Sequence, residues 1–490
     1  MSQIESYKVN KVSMQFNNRY AKQMAGHYAE QPPMGLSQPQ LVCYNDELAN
    51  FLGLDNQLIS KDDFLQVFSG NKLIEGMQPL AQKYTGHQFG QYNPLLGDGR
   101  GLLLGEAIAS DGLTWDLHLK GAGPTPYSRG ADGRAVLRSS IREFLASEAM
   151  YHLGIPTSRA LALTVGDNPV YRETQEQAAM LTRVCRSHIR FGHFEYLFHT
   201  KQGDALKQLV DFTIEQYFPG CLNADKPILA FFEQVIKDTA NLIAKWQSVG
   251  FCHGVMNSDN MSILGLTFDY GPYAFLDAYQ EDFICNHSDH TGRYAFNRQP
   301  SIALWNLNCL AHALSELLSI DELRAALQQY EPQFIKYYSQ NMQAKLGLTQ
   351  FESSDKTLLG QLLDLMQVEQ LDFTNTFRLL SESPEQEKLL AWFGATEQST
   401  EWVNAYLHRV TQQDLPQAER LTQMQQVNPK YVLRNYLAQN VIEAAEKGDF
   451  TPVNELYQVL KQPFISQSGK ADYAQTPPQW AKELAISCSS

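Results

Sequence analysis

The residues best able to do chemistry lie close together in the chain. They are His253-Gly-Val-Met-Asn257-Ser-Asp259-Asn260 and, nine residues after Asn260, Asp269-Tyr270-Gly271. One carboxylate and one amide can hold a divalent cation that neutralises a polyphosphate while keeping most of its water. Asn260 and Asp269 are therefore the expected ligands for Mg²⁺ or Mn²⁺, and ATP is the expected polyphosphate. Either residue alone is also an ordinary turn former, so the expectation rests on their joint spacing.

That spacing resembles a protein kinase, whose catalytic loop HRDxxxxN places an Asn seven residues after its His and whose later DFG supplies a second metal-binding Asp. Two residues after His253, where a kinase keeps its catalytic Asp, this chain has Val255, which can neither accept a proton nor orient a hydroxyl. Asp259 is the carboxylate that can replace it as a base; its other reading is a turn cap. Upstream, Lys120 and Glu143 fit the strand lysine and helix glutamate that pair in kinases. Glu143 falls opposite the stripe of Ile141, Phe144 and Leu145, so it is either solvated or part of a second buried face.

Phosphate needs donors as well as a metal. Gly97-Asp98-Gly99-Arg100 and Asp132-Gly133-Arg134 are short glycine turns whose backbone NH groups could approach phosphate, although neither is a Walker A loop or a GxGxxG. The run Arg183-Val-Cys-Arg186-Ser-His188-Ile-Arg190-Phe-Gly-His193 gathers forked cations that suit a triphosphate; structural ion pairs are the competing use. His287-Ser-Asp289-His290 reads as a hydrogen-bonded loop rather than a metal site.

The elements that must position these groups follow from periodicity. From about residue 80 to 200 the chain is rich in Gly and Arg and broken into short pieces, with Leu117 and Leu119 alternating up to Lys120 as a strand that enters a glycine loop. A helix is predicted from about Ala135 to Leu153, ended by Gly154 and Pro156. Beyond residue 205 the spacing is mainly helical, as in Phe232 to Trp246, which stops at Gly250, and in Leu433 to Ala444; residues 251 to 300 read as polar loops. The predicted class is α+β: a kinase-like bilobal fold with a mixed α/β lobe over 1–200 and an enlarged, mostly helical lobe over 201–490 that carries the catalytic loop.

Bulk properties set the limits. The 490 residues carry a formal charge of −14, which disfavours a nucleic-acid partner. No apolar run is long enough to span a membrane and the N-terminus lacks a signal pattern, so a cytoplasmic location is expected. Seven scattered cysteines without a CxxC pair suggest neither a disulfide framework nor a structural zinc site.

The strings KGAGPTPYSRGADGRAVLRSSIREFLASEAM, SHIRFGHFE, GFCHGVMNSDNMSILGLTFDYGP and ICNHSDHTGRYAFNRQP, with the closing CSS, resemble the selenoprotein O family of protein adenylyltransferases over nearly the whole chain. The resemblance implies a kinase-like fold that binds ATP flipped, so that AMP is transferred to Ser, Thr or Tyr hydroxyls of proteins, redox-related proteins being candidate substrates, and pyrophosphate leaves. By resemblance Lys120, Arg183 and Arg190 hold the phosphates and Glu143 orients Lys120. Gly97, Gly99, Arg100, Asp132 and Gly133 line the nucleotide site, Asp259 is the base, and Asn260 and Asp269 hold the metal. Some members carry selenocysteine where Cys488 stands, and a redox switch pairing Cys488 with Cys285 is expected on that ground. Two other readings stay open from the residues alone: an idle nucleotide-binding scaffold, favoured by Val255, and a metal-dependent phosphohydrolase built on His253, Asp259, Asp269, His287 and His290.

Overall fold

Period-two alternation of apolar residues builds an antiparallel sheet in the N-terminal part of the chain. In the computed structural model, which describes residues 14–54 and 59–484, the strands lie in the order Tyr28–Glu30, Leu80–Gln82, Gly101–Ile108, Thr114–Lys120, Gln175–Cys185, Arg159–Tyr171 and Gln40–Tyr44. Ala135–Val136 adds a short eighth strand against Ala178 and Ala179. Leu102, Leu104, Leu117 and Leu119 enter one apolar core, whereas Leu103 and Leu181 enter another. Both faces of the sheet are therefore covered.

Thr114–Lys120 ends on its lysine as expected, and Gly121 follows with φ 90°. The predicted helix occupies Leu137–His152 and ends at Gly154, φ 75°. Both sides of this helix are buried. The sheet packs on one, and the helices Asn435–Ala445 and Thr451–Leu460 pack on the other, which decides in favour of the second buried face that Glu143 required. Arg142 ties the helix to later segments by donating to the Tyr273 carbonyl at 2.9 Å and to Asn435 Oδ1 at 3.3 Å.

The expectation of short pieces from 80 to 200 needs correction. Arg159–Tyr171 and Gln175–Cys185 form a long hairpin of 13 and 11 residues. Their central residues are buried on both faces, which removes the polar alternation that would have marked them as strands.

From Gly203 onward the described chain is mostly helical. Pro227–Val249 stops where Gly250 turns left-handed, φ 69°; a Cβ there would also come within 2.8 Å of the Phe373 ring. Between Phe251 and Arg298 lie only two-residue strands and short 3-10 turns, as the density of His, Asn and Asp suggested. The class is α+β, an antiparallel sheet followed by a mostly helical region. Among the described residues, no helix is long and apolar enough to cross a membrane.

Candidate active site

A cleft of about 600 Å³ opens where the strand-end loops of the sheet meet the loop 255–272. Gly97, Gly99, Arg100, Lys120, Asp132 and Gly133 line it from the sheet side, Arg183 and Arg190 line its inner wall, and Asp259, Asn260 and Asp269 face them. Of the residues given nucleotide, metal or base roles by the resemblance, Glu143 alone lies behind the wall. Its carboxylate pairs with Lys120 Nζ through one oxygen and with Arg183 Nε through the other.

This arrangement shares charge through a buried network. Asp269 bridges Arg183, at 2.8 Å, and Arg190. Burial alone would raise its pKa, yet Arg190 and then Arg183 hold the carboxyl well below the ordinary range. Burial pushes the Lys120 ammonium down to about 8, Glu143 acting against that fall and Arg100 and Arg183 adding to it. Arg190 also donates to the Asp259 carbonyl at 2.8 Å and stacks over Tyr84 and Phe268. The result is a fixed set of cations around one carboxylate, a geometry suited to an anionic ligand.

Asp259 has the opposite character. Burial raises its pKa to about 7, with Arg190 opposing and Asp269 reinforcing. Gln88 Nε2 donates to its Oδ2 at 3.2 Å, while its Oδ1 is buried without a partner among the described residues. Asn260, on the same 3-10 turn Ser258–Asn260, donates Nδ2 to the Val255 carbonyl at 3.0 Å. That bond points the amide nitrogen inward and leaves Oδ1 uncommitted among the described contacts. Val255 itself lines the cleft.

Glycine is sterically required at two of the predicted turns. Gly133 has φ 65°, and a Cβ there would fall 2.1 Å from the Gly123 carbonyl carbon; at Gly97 it would fall 2.6 Å from the Tyr127 ring. Asp132 is held by both outer nitrogens of Arg172, at 2.7 and 2.9 Å.

Several expectations divide or fail. Of the arginine run, Arg183 and Arg190 reach the cleft, but Arg186 turns away to the Thr114 carbonyl and His188 pairs with Asp116: Arg183 lies on the strand Gln175–Cys185, the chain then leaves the strand, and Arg190 stands at the start of the helix Phe191–His199. His253 is buried against Trp246 and directs Nε2 to the Phe268 carbonyl. His287 and His290 are exposed, and neither lines the cleft. Asp289 caps the backbone of Arg293 and Tyr294, which makes this segment the hydrogen-bonded loop expected. The five residues of the phosphohydrolase reading therefore do not converge. Cys285 is buried with Sγ 3.4 Å from Cys252 Sγ, both thiols free; Cys488 lies outside the described residues.

Sequence reasoning missed the hairpin of Gly86–Gln88 and Gln91–Asn93, which covers the Asp259 turn. His87 N donates to Ser258 Oγ at 2.7 Å, and Phe89 N to Tyr294 Oη at 2.9 Å. It also missed Arg172, Tyr84 and Tyr127 on the cleft wall. The Phe89-Gly90 turn, both residues at positive φ, was the available signal.

The cleft thus gathers a cation cluster, one carboxylate held ionised and a second whose pKa is raised to about 7, a set suited to an anionic ligand. Comparison with known proteins makes it specific. Residues 10–461 match the model of the family described as protein adenylyltransferase SelO. The chain is 52% identical over 480 residues to a protein nucleotidyltransferase YdiU of Erwinia tasmaniensis, covering 97% of this chain and 100% of the relative. It is 51% identical over 486 residues to that of Vibrio vulnificus, covering 98% and 99%. The chain belongs to the SelO family, and its activity is protein adenylyl transfer.

Proposed function

We propose that adenylyl transfer takes place in this cleft, within a kinase-like arrangement of an N-lobe over 1–200 and a C-lobe over 201–490, with Asp259 as the general base. The observation that carries this reading is the pairing of unlike carboxylates: Asp259, raised to about 7, adjoins Asn260 in the cleft where Asp269 is held strongly ionised. Carboxylates whose environments push their pKa values apart are suited to different roles.

A Ser, Thr or Tyr hydroxyl of the acceptor protein attacks the α-phosphorus of ATP. Asp259 takes the hydroxyl proton as the new O–P bond forms, and the bond to pyrophosphate breaks. The cations of Lys120, Arg183 and Arg190 stabilise the charge that develops on the phosphates. Gly97, Gly99 and Gly133 let backbone approach the nucleotide beside Arg100 and Asp132. Glu143 keeps Lys120 and Arg183 aimed into the cleft. The uncommitted Asn260 Oδ1 and the Asp269 carboxylate fit Mg²⁺ or Mn²⁺, which when bound supplies charge neutralisation between the phosphates. Val255, in place of the kinase base, agrees with a reaction that does not deliver the γ-phosphate.

The roles separate in a binding and turnover experiment. Asp259→Asn should bind ATP with metal as tightly as wild type by calorimetry but lose roughly a thousandfold or more in AMP transfer. Asp269→Ala should lose the metal-dependent part of ATP affinity. An Asp259→Asn enzyme with near wild-type turnover would remove Asp259 from the role of base.

A further inference from the structure

Outside the nucleotide cleft, three potential metal ligands from distant parts of the chain come together. A ring nitrogen of His87, a carboxylate oxygen of Glu195 and Cys309 Sγ all lie within 4.8 Å of one another. None of the three lines the cleft. His87 comes from the strand Gly86–Gln88, Glu195 from the helix Phe191–His199 and Cys309 from the helix Gln299–Ala313, and the two helices pack together. Glu195 is wholly buried; one oxygen meets His87 Nδ1, while Oε1 has no partner among the described residues. A buried carboxylate oxygen without a donor is costly, and a cation is the group that would satisfy it.

We propose that His87, Glu195 and Cys309 form a second metal site, selective for Zn²⁺ or a similar transition ion. One imidazole, one carboxylate and one thiolate are the ligand types of zinc, not of magnesium, which takes oxygen ligands. Three protein ligands leave a fourth position for water. Binding deprotonates Cys309, its proton passing to solvent, and takes His87 neutral through a ring nitrogen. No CxxC spacing marks the site, because each ligand lies on a different element. The site has a mechanical connection to catalysis. His87 N donates to Ser258 Oγ, and the next residue, Gln88, donates to Asp259, so an ion on His87 would fix the hairpin over the base.

The test uses the full chain freed of metal with a chelator and titrated with Co²⁺ and Zn²⁺. The expected result is a thiolate-to-cobalt charge-transfer band saturating at one ion per chain, and Zn²⁺ that slows alkylation of Cys309 as followed by peptide mass spectrometry. Cys309→Ser should abolish the band, and Glu195→Gln should weaken Zn²⁺ binding by at least about tenfold. Asp269→Ala, which removes none of the three ligands, should retain the band. A wild-type protein with no such band, or Cys309 alkylation unaffected by Zn²⁺, would overturn the proposal without reference to any variant's folding. Retention of the band in Cys309→Ser would assign it to another thiol and overturn the proposal too.

Discussion

At the scale of single residues, the account rests on burial acting differently on two aspartates. Asp259 and Asp269 both leave water, but only Asp269 gains two arginines. The consequence for pH is specific. Asp259 must be ionised to act as base, so kcat/KM for transfer should rise with pH through a single ionisation near 7 and then level; the measurement is initial rate against pH at limiting ATP. The same group makes a stability prediction of opposite sign. Its folded pKa lies above the unfolded value of about 3.9, so protonation favours the folded state. That contribution is fully present below about pH 4 and is lost as pH rises through 7. Asp259→Asn, which keeps the neutral form, should therefore melt at the same or a higher temperature than wild type at pH 8 while losing activity. Glu143 behaves differently. Removing it as Glu143→Ala leaves the buried cations of Lys120 and Arg183 without their shared partner, and should destabilise the fold by about 3 kcal/mol or more in denaturant unfolding. Glu143→Gln should recover part of the loss by keeping hydrogen bonds.

At the scale of elements, the hairpin 86–93 holds the turn that carries Asp259, the proposed base. A Cβ at Gly86 would sit 2.8 Å from Asp259 Cβ. Gly86→Ala should thus lower kcat by about tenfold or more, as small misplacements of a catalytic group do, and leave KM for ATP nearly unchanged. Gly133→Ala should do the reverse and raise KM, because it displaces a loop of the nucleotide wall. The legible and illegible elements divide for a physical reason. Lys120 at a strand end, the helix Leu137–His152 and the stop at Gly250 were readable because alternation, helical spacing and a left-handed glycine are local signals. The hairpin Arg159–Cys185 was not, since its buried core hides the alternation. The position of Glu143 could only be settled by knowing that both sides of its helix are covered. The splitting of the arginine run, Arg183 and Arg190 inward and Arg186 outward, needed the points where the strand ends at Cys185 and the next helix begins after Arg190.

At the scale of the whole molecule, the later helices brace the site as well as enclose it. Arg434, 1% exposed, bridges Asp277 at 2.7 Å and Asp372 at 2.9 Å, and joins the loop that leaves the cleft to the helices Phe373–Glu382 and Asn435–Ala445. Arg434→Ala should cost about 3 to 5 kcal/mol in unfolding experiments while leaving KM for ATP near wild type at low temperature. Most of the residues that meet in the cleft were legible as residue types and spacings, whereas the covering hairpin and its contacts were not, because they join segments separated by 100 residues or more, as Gln88 and Asp259 do. The most direct test of the central claim is to incubate the purified protein and an acceptor with Mg²⁺ or Mn²⁺ and ATP labelled at either the α- or the γ-phosphate, beside Asp269→Ala. Label entering protein from the α-position alone, and lost in the variant, is the expected result; label entering from the γ-position would contradict adenylyl transfer in this cleft.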